Sequence, residues 1–151
     1  MKAASSKGES LFGILVALAV AAILLAVAMP VWSEAVIRMR RGEAQAALQE
    51  MMQHQERHFT RFNTYVAFSA ASTGQAPAQF RWWSGRAPKS SAYEVEGKAC
   101  EGEQIRDCIQ LVATPGTPKV DNSFKDPRCE RLILTSTGLH LASGPGPGCW
   151  R

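Results

Sequence analysis

Four cysteines, Cys100, Cys108, Cys129 and Cys149, are the residues of this 151-residue chain best suited to covalent chemistry. They are even in number, confined to the C-terminal third, and lack the paired short spacings of a zinc site. That pattern points to disulfides formed in an oxidising compartment. Four cysteines allow three pairings. Cys100 with Cys108 would staple the intervening Glu101–Gln104 loop, and Cys129 with Cys149 would close the C-terminal region, where Gly144-Pro145-Gly146-Pro147-Gly148 lets the tail turn back. His54 and His58 share a helix face, but Gln55 stands where a metalloprotease helix carries its Glu, so no metal is assigned. Ser136 has no evident base, His140 sits between leucines, and the chain has neither a nucleophile elbow nor a phosphate loop. The expectation is a protein that is not an enzyme and needs no cofactor. Phe80-Arg81-Trp82-Trp83 suits contact rather than catalysis. Arg and aromatic residues favour partner hot spots or stacking on bases, although burial of the rings beneath their loop is the favoured reading.

The elements that must carry these residues are uneven in character. The chain is 46% hydrophobic with a net charge of +4, yet Leu11 to Met29 is an unbroken apolar run long enough to span about 30 Å of hydrocarbon as a helix. It exceeds the 7–15 apolar residues of an ordinary signal peptide. Lys2 and Lys7 precede it and Arg38, Arg40 and Arg41 follow it, so loop charge leaves the orientation open. The cysteines place the C-terminal part outside the cytoplasm. Arg41 and its neighbours read as solvated charge, free to meet lipid headgroups or acids such as Glu34 and Glu43. Pro30 predicts a bend. Beyond it, Val36, Ala44, Ala47, Leu48, Met51, Met52, Phe59 and Phe62 recur at spacings of three and four, predicting an amphipathic helix to about Asn63. Residues 65–92 read as a loop. Short strands follow at Tyr93–Glu96, Cys108–Ala113, Glu130–Thr135 and Leu139–Ala142, as an antiparallel meander packed on the helix: an α+β domain.

Lys7-Gly8-Glu9-Ser10-Leu11-Phe12, the apolar run and Pro30 together resemble the leader and N-terminal helix of type IV pilins. Arg40-Arg41-Gly42-Glu43-Ala44-Gln45-Ala46, Gln55-Glu56-Arg57-His58-Phe59, Asn63-Thr64-Tyr65, Ala113-Thr114-Pro115, Leu134-Thr135-Ser136-Thr137-Gly138 and Cys149-Trp150 look like the PilE-type minor pilins. The resemblance implies a leader, residues 1–8, cut after Gly8 by a prepilin peptidase, with methylation of the new terminus at Glu9. Loss of Lys2 and Lys7 would lower the net charge from +4 to +2. It further implies a transmembrane and filament-core half over residues 9–32, an amphipathic half over 33–64, the connecting loop over 65–92, and a sheet with a disulfide-bounded C-terminal region over 93–151. Cys129 and Cys149 match the place of the disulfide that bounds that region in pilins. One position departs from the pattern: pilins carry a Glu five residues after the cut, and here that residue is Gly13. A buried terminal amine without a carboxylate is costly, so either Glu9 compensates or the subunit sits at the filament tip.

The implied function is that of a minor structural pilin, held in the inner membrane with a periplasmic head and then carried into an extracellular pilus, supporting pilus biogenesis, twitching motility and adhesion. The implied partners are major and minor pilins, the prepilin peptidase and the inner-membrane assembly platform. Two alternatives stand beside it. One is a DNA-binding pilin for uptake, using Arg81, Trp82, Trp83, Lys119 and Lys125. The other is a type II secretion pseudopilin, which Gly13 keeps open.

Overall fold

From Lys7 to Phe62 the chain is rich in Ala, Leu, Met, Glu, Gln and Arg, the strongest helix formers, and it forms one α-helix, α1. The computed structural model describes residues 7–150, the side chains of residues 7–10, 30 and 31 excepted. Met1 to Ser6 of the leader lie outside the described residues, as do the side chains at the Gly8–Glu9 junction and at Pro30. The helical backbone continues through position 30. It ends where Asn63 adopts a left-handed conformation at φ 54° and donates its N–H to the Phe59 carbonyl at 2.8 Å, a single-residue helix stop that Asn tolerates well.

The chain divides into two compact units, Met1–Arg38 and Met39–Arg151. In the first, the helix presents Leu11, Phe12, Leu15, Leu18, Ile23, Leu24, Val27 and Met29 to its surroundings, all of them exposed. Among the described residues, one helix is long and apolar enough to cross a membrane, and this run lies within it. A helix that is apolar all round needs lipid or other helices about it. Near the unit's end the exposed Arg38 and Glu34 pair at 3.9 Å, one turn apart.

The second unit holds the core. Four antiparallel strands, β1 (Tyr93–Ala99), β2 (Ile109–Pro115), β3 (Leu132–Thr135) and β4 (His140–Ala142), form a meander in the order β1-β2-β3-β4. Alternation along β1 and β2 buries Tyr93, Val95, Ile109 and Leu111. They meet Ala44, Leu48 and Met51 from α1, one helix stripe at spacings of four and three. The fold is the long helix on a small antiparallel sheet that the residue pattern predicts.

The connecting segment is better packed than its Ala, Ser and Gly content suggests. Phe68 and Gly97 exchange backbone hydrogen bonds at 3.0 and 2.9 Å, and Trp83 bridges to Glu94, so the segment runs along the free edge of β1. Such cover protects an exposed sheet edge. Gly97 makes the approach possible, since a Cβ there would lie 2.5 Å from the Phe68 ring. Phe68 in turn stacks on Phe80, ring centres 5.2 Å apart, and both rings are buried.

Candidate nucleic-acid interface

Three polar residues of the helix, Arg41, Gln45 and Gln55, are held by partners in the head. Arg41 is buried and forks onto Asp126, Nε to Oδ2 and Nη2 to Oδ1, both at 2.8 Å. The Tyr93 hydroxyl donates to the same carboxylate at 2.6 Å, and the Cys129 N–H adds a fourth bond at 3.2 Å. The sequence reading of Arg41 as solvated charge is therefore corrected: its partner comes 85 residues later in the chain. Burial acts to raise the Asp126 pKa, but hydrogen bonds from Arg41 and Tyr93 outweigh it and hold the carboxyl below the usual range. The bond to Asp126 raises Arg41, and burial pushes the Tyr93 hydroxyl far up, so both keep their protons. One turn on, Gln45 Nε2 donates to the Cys149 carbonyl at 2.6 Å. Further along, buried Gln55 exchanges two hydrogen bonds with the Val66 backbone, at 2.7 and 2.9 Å. These three contacts fasten the helix to the Asp126 loop, the C-terminus and the connecting segment in turn.

Both disulfides form within the second unit: Cys100 with Cys108 and Cys129 with Cys149. The first bridges the loop between β1 and β2. The second ties the tail to the loop that carries Asp126. The tail also extends the pairing of β3 and β4 beyond the strands, with Ser143, Gly144 and Gly146 donating N–H groups to Arg131, Cys129 and Arg128 carbonyls at 2.8–3.0 Å. A Cβ at Gly144 or Gly146 would meet the Arg128 carbonyl at under 3 Å, so the glycines permit this contact. Ser136 Oγ accepts the Ile109 N–H at 3.2 Å, a structural bond. Exposed His140 packs its ring against Trp150, centres 4.6 Å apart.

The residues proposed from sequence for contact are only partly free. Phe80 is core, while Trp82 and Trp83 are half-buried and meet edge to face at 5.1 Å. Arg81 pairs with Glu50 at 2.9 Å, and Lys119 pairs with Glu94 at 2.9 Å. Their positive charge is already spent, which argues against the Arg81–Trp83 cluster and Lys119 as a phosphate surface. Gly13 lies on α1 in the first unit, with open space where a side chain would stand.

The free positive charge lies elsewhere, and sequence reasoning missed most of it. Arg57, Arg61, Arg86, Lys125, Arg128 and Arg131 are exposed and have no ion pair among the described residues. Acids of the same unit are largely committed: Glu43 to Arg40, Glu50 to Arg81, Glu94 to Lys119, Glu96 to Lys98, and Asp126 to Arg41. Glu56, Asp121 and Glu130 accept hydrogen bonds from the Tyr65, Ser123 and Ser143 hydroxyls and keep their negative charge. Three of the free cations, Lys125, Arg128 and Arg131, flank Asp126 and Cys129 in one loop. The only signal in the sequence was their density around one cysteine.

A family model described as "Type IV minor pilin ComP, DNA uptake sequence receptor" matches residues 30–133, more than half of the chain. The chain belongs to this family of type IV minor pilins. Two solved structures are similar to it. A type IV pilin from Shewanella oneidensis is 23% identical, covering 76% of this chain and 98% of that one, with a TM-score of 0.47. The non-core minor pilin PilV of Neisseria meningitidis is 18% identical, covering 76% of this chain and 93% of that one, with a TM-score of 0.49. No curated protein matches. The match covers the pilin-like motifs at residues 40–46, 55–59, 63–65 and 113–115, and several of them now have physical roles. Arg41, Gln45, Gln55 and Asn63 all come from those motifs, and each fastens or terminates the helix.

Proposed function

We propose that this minor pilin is a DNA-binding subunit of a type IV pilus, acting in DNA uptake. The family description names a DNA uptake sequence receptor. The observation that carries the reading is the charge distribution around the Cys129–Cys149 disulfide: the Asp126 carboxylate is answered by Arg41, and Lys125, Arg128 and Arg131 are left exposed without an ion pair among the described residues. Phosphates attract such unpaired cations, whereas a cation already paired with a carboxylate offers little. The disulfide and the glycine-mediated tail contacts hold the loop backbone in place, so the cations are presented on a rigid support. In this reading the leader is removed after Gly8, Glu9 is methylated, and the apolar helix holds the subunit in the inner membrane with its head in the periplasm. The assembly platform then passes it into the pilus among other pilins, where Gly13 in place of the usual acid suits a tip position.

The test is DNA binding by the full chain in a nonionic detergent. The unmodified protein is expected to bind duplex DNA with an affinity that falls steeply with salt. The Arg128→Gln, Arg131→Gln double variant should lower the slope of log K against log salt by about 1.8, the release expected for two phosphates. Absence of binding at low salt would overturn the reading and leave a purely structural minor pilin.

A further inference from the structure

The C-terminal end of α1 carries a second cationic feature that the family description does not locate. His54, Arg57, His58 and Arg61 recur at spacings of three, one and three, which puts them on one helix face. With Gln79 and Phe80 from the connecting segment they line a cleft of about 170 Å³ that no carboxylate enters. Phe62, exposed and also in the lining, packs against the His58 ring with centres 4.5 Å apart. The Thr64 carbonyl lies 2.9 Å from His58 Nδ1 and fixes the ring.

Two arginines one turn apart repel each other on a bare helix. A helix macrodipole explains a cation in the last turn, which is Arg61, but its influence fades within that turn and does not reach Arg57. Arg40, Arg41 and Arg81 are each answered by an acid; Arg57 and Arg61 instead line a cleft with the exposed Gln79 amide and the buried Phe80 ring, with no carboxylate among the lining residues. The arrangement lacks an anion. A phosphodiester would supply the missing charge to both guanidiniums, accept a hydrogen bond from the Gln79 amide, and leave its sugar or base against Phe62.

We propose that this cleft is a backbone clamp for DNA, separate from the Cys129 loop and indifferent to base sequence. The proposal rests on the DNA-binding reading above, and the experiment separates the two. The probe is a labelled duplex of random sequence, titrated with the full chain in nonionic detergent over a range of salt. Arg57→Gln with Arg61→Gln should lower the salt slope by about 1.8. Gln79→Ala keeps every charge, so it should leave the slope unchanged and weaken binding by about tenfold, the loss of one hydrogen bond to a charged group. An unchanged slope in the double arginine variant, with Arg128→Gln still weakening binding, overturns the clamp and leaves the DNA reading standing. A silent Gln79→Ala also overturns it, since diffuse charge would then account for the effect. No binding by the unmodified chain removes both.

Discussion

Leu11–Met29 and Ala44–Met51 belong to the same helix and share the same helix-forming residues, yet they solve opposite problems. In the first stretch Leu18 is 62% exposed and Leu24 65%, and apolar residues cover every side. In the second, Ala44 and Leu48 are fully buried while Gln49 and Glu50 beside them are exposed. Helix propensity does not distinguish the two stretches; the distribution of apolar residues around the axis does. An all-round apolar helix gains nothing from a single protein surface and is suited to lipid or a bundle. A striped helix gains from one sheet, and the head supplies it. The lesson extends to charge: Arg38 pairs in the open with Glu34, whereas Arg41, three residues on, is buried and answered by Asp126.

The most damaging break to this contrast should be Asp126→Asn. It leaves the Arg41 guanidinium buried without its counter-charge, a change that typically costs about 3–5 kcal/mol. Unfolding of the head in urea, followed by near-ultraviolet circular dichroism, should show that loss at pH 7. The carboxyl is held below its ordinary value in the folded protein, so its contribution is full above the unfolded value near pH 4 and is lost as pH falls through the folded value. The gap between variant and parent should therefore narrow in acid. A gap that widens in acid, or one under about 1 kcal/mol at pH 7, would show that the pair does not hold the helix.

This pair also marks where the sequence stops being readable. Hydrophobic spacing located the helix stripe, the strands and the meander, because each is a local period that packing enforces. Cysteine arithmetic left three pairings, and the hairpin that brings Cys100 beside Cys108 decides one of them through strand register. Arg41 was misread because its neighbours, Arg40 and Gly42, look like surface, and nothing local announces an acid from a loop far along the chain. Gln55 escaped notice for the same reason: a polar residue in a helix looks solvated until the segment it holds is known. The free cations failed from the opposite side. Counting Arg81 and Lys119 as available required knowing that Glu50 and Glu94 do not reach them, and both do.

Gly97→Ala sharpens the contrast at smaller scale. Its new methyl would sit 2.5 Å from Phe68 Cε1 and 3.1 Å from Leu111 Cδ2, which forces the connecting segment away from β1 at about 1–3 kcal/mol. Phe68→Leu in the same chain should recover part of the loss by vacating that space. Full additivity of the two penalties in the same urea measurement would mean that the edge contact does not set the spacing.

The same exchange at Gly13 should do almost nothing to the head. A Cβ there meets no atom within 4 Å, and the residue belongs to the first unit, outside the core. Ala is the better helix former by about 1 kcal/mol, so helix content in detergent should hold or rise slightly. The urea midpoint of the head should stay within about 0.5 kcal/mol of the parent, the usual bound for a substitution away from packed features. A larger shift would show that head stability draws on the apolar stretch, and the two halves of the helix could no longer be treated as answering to different surroundings.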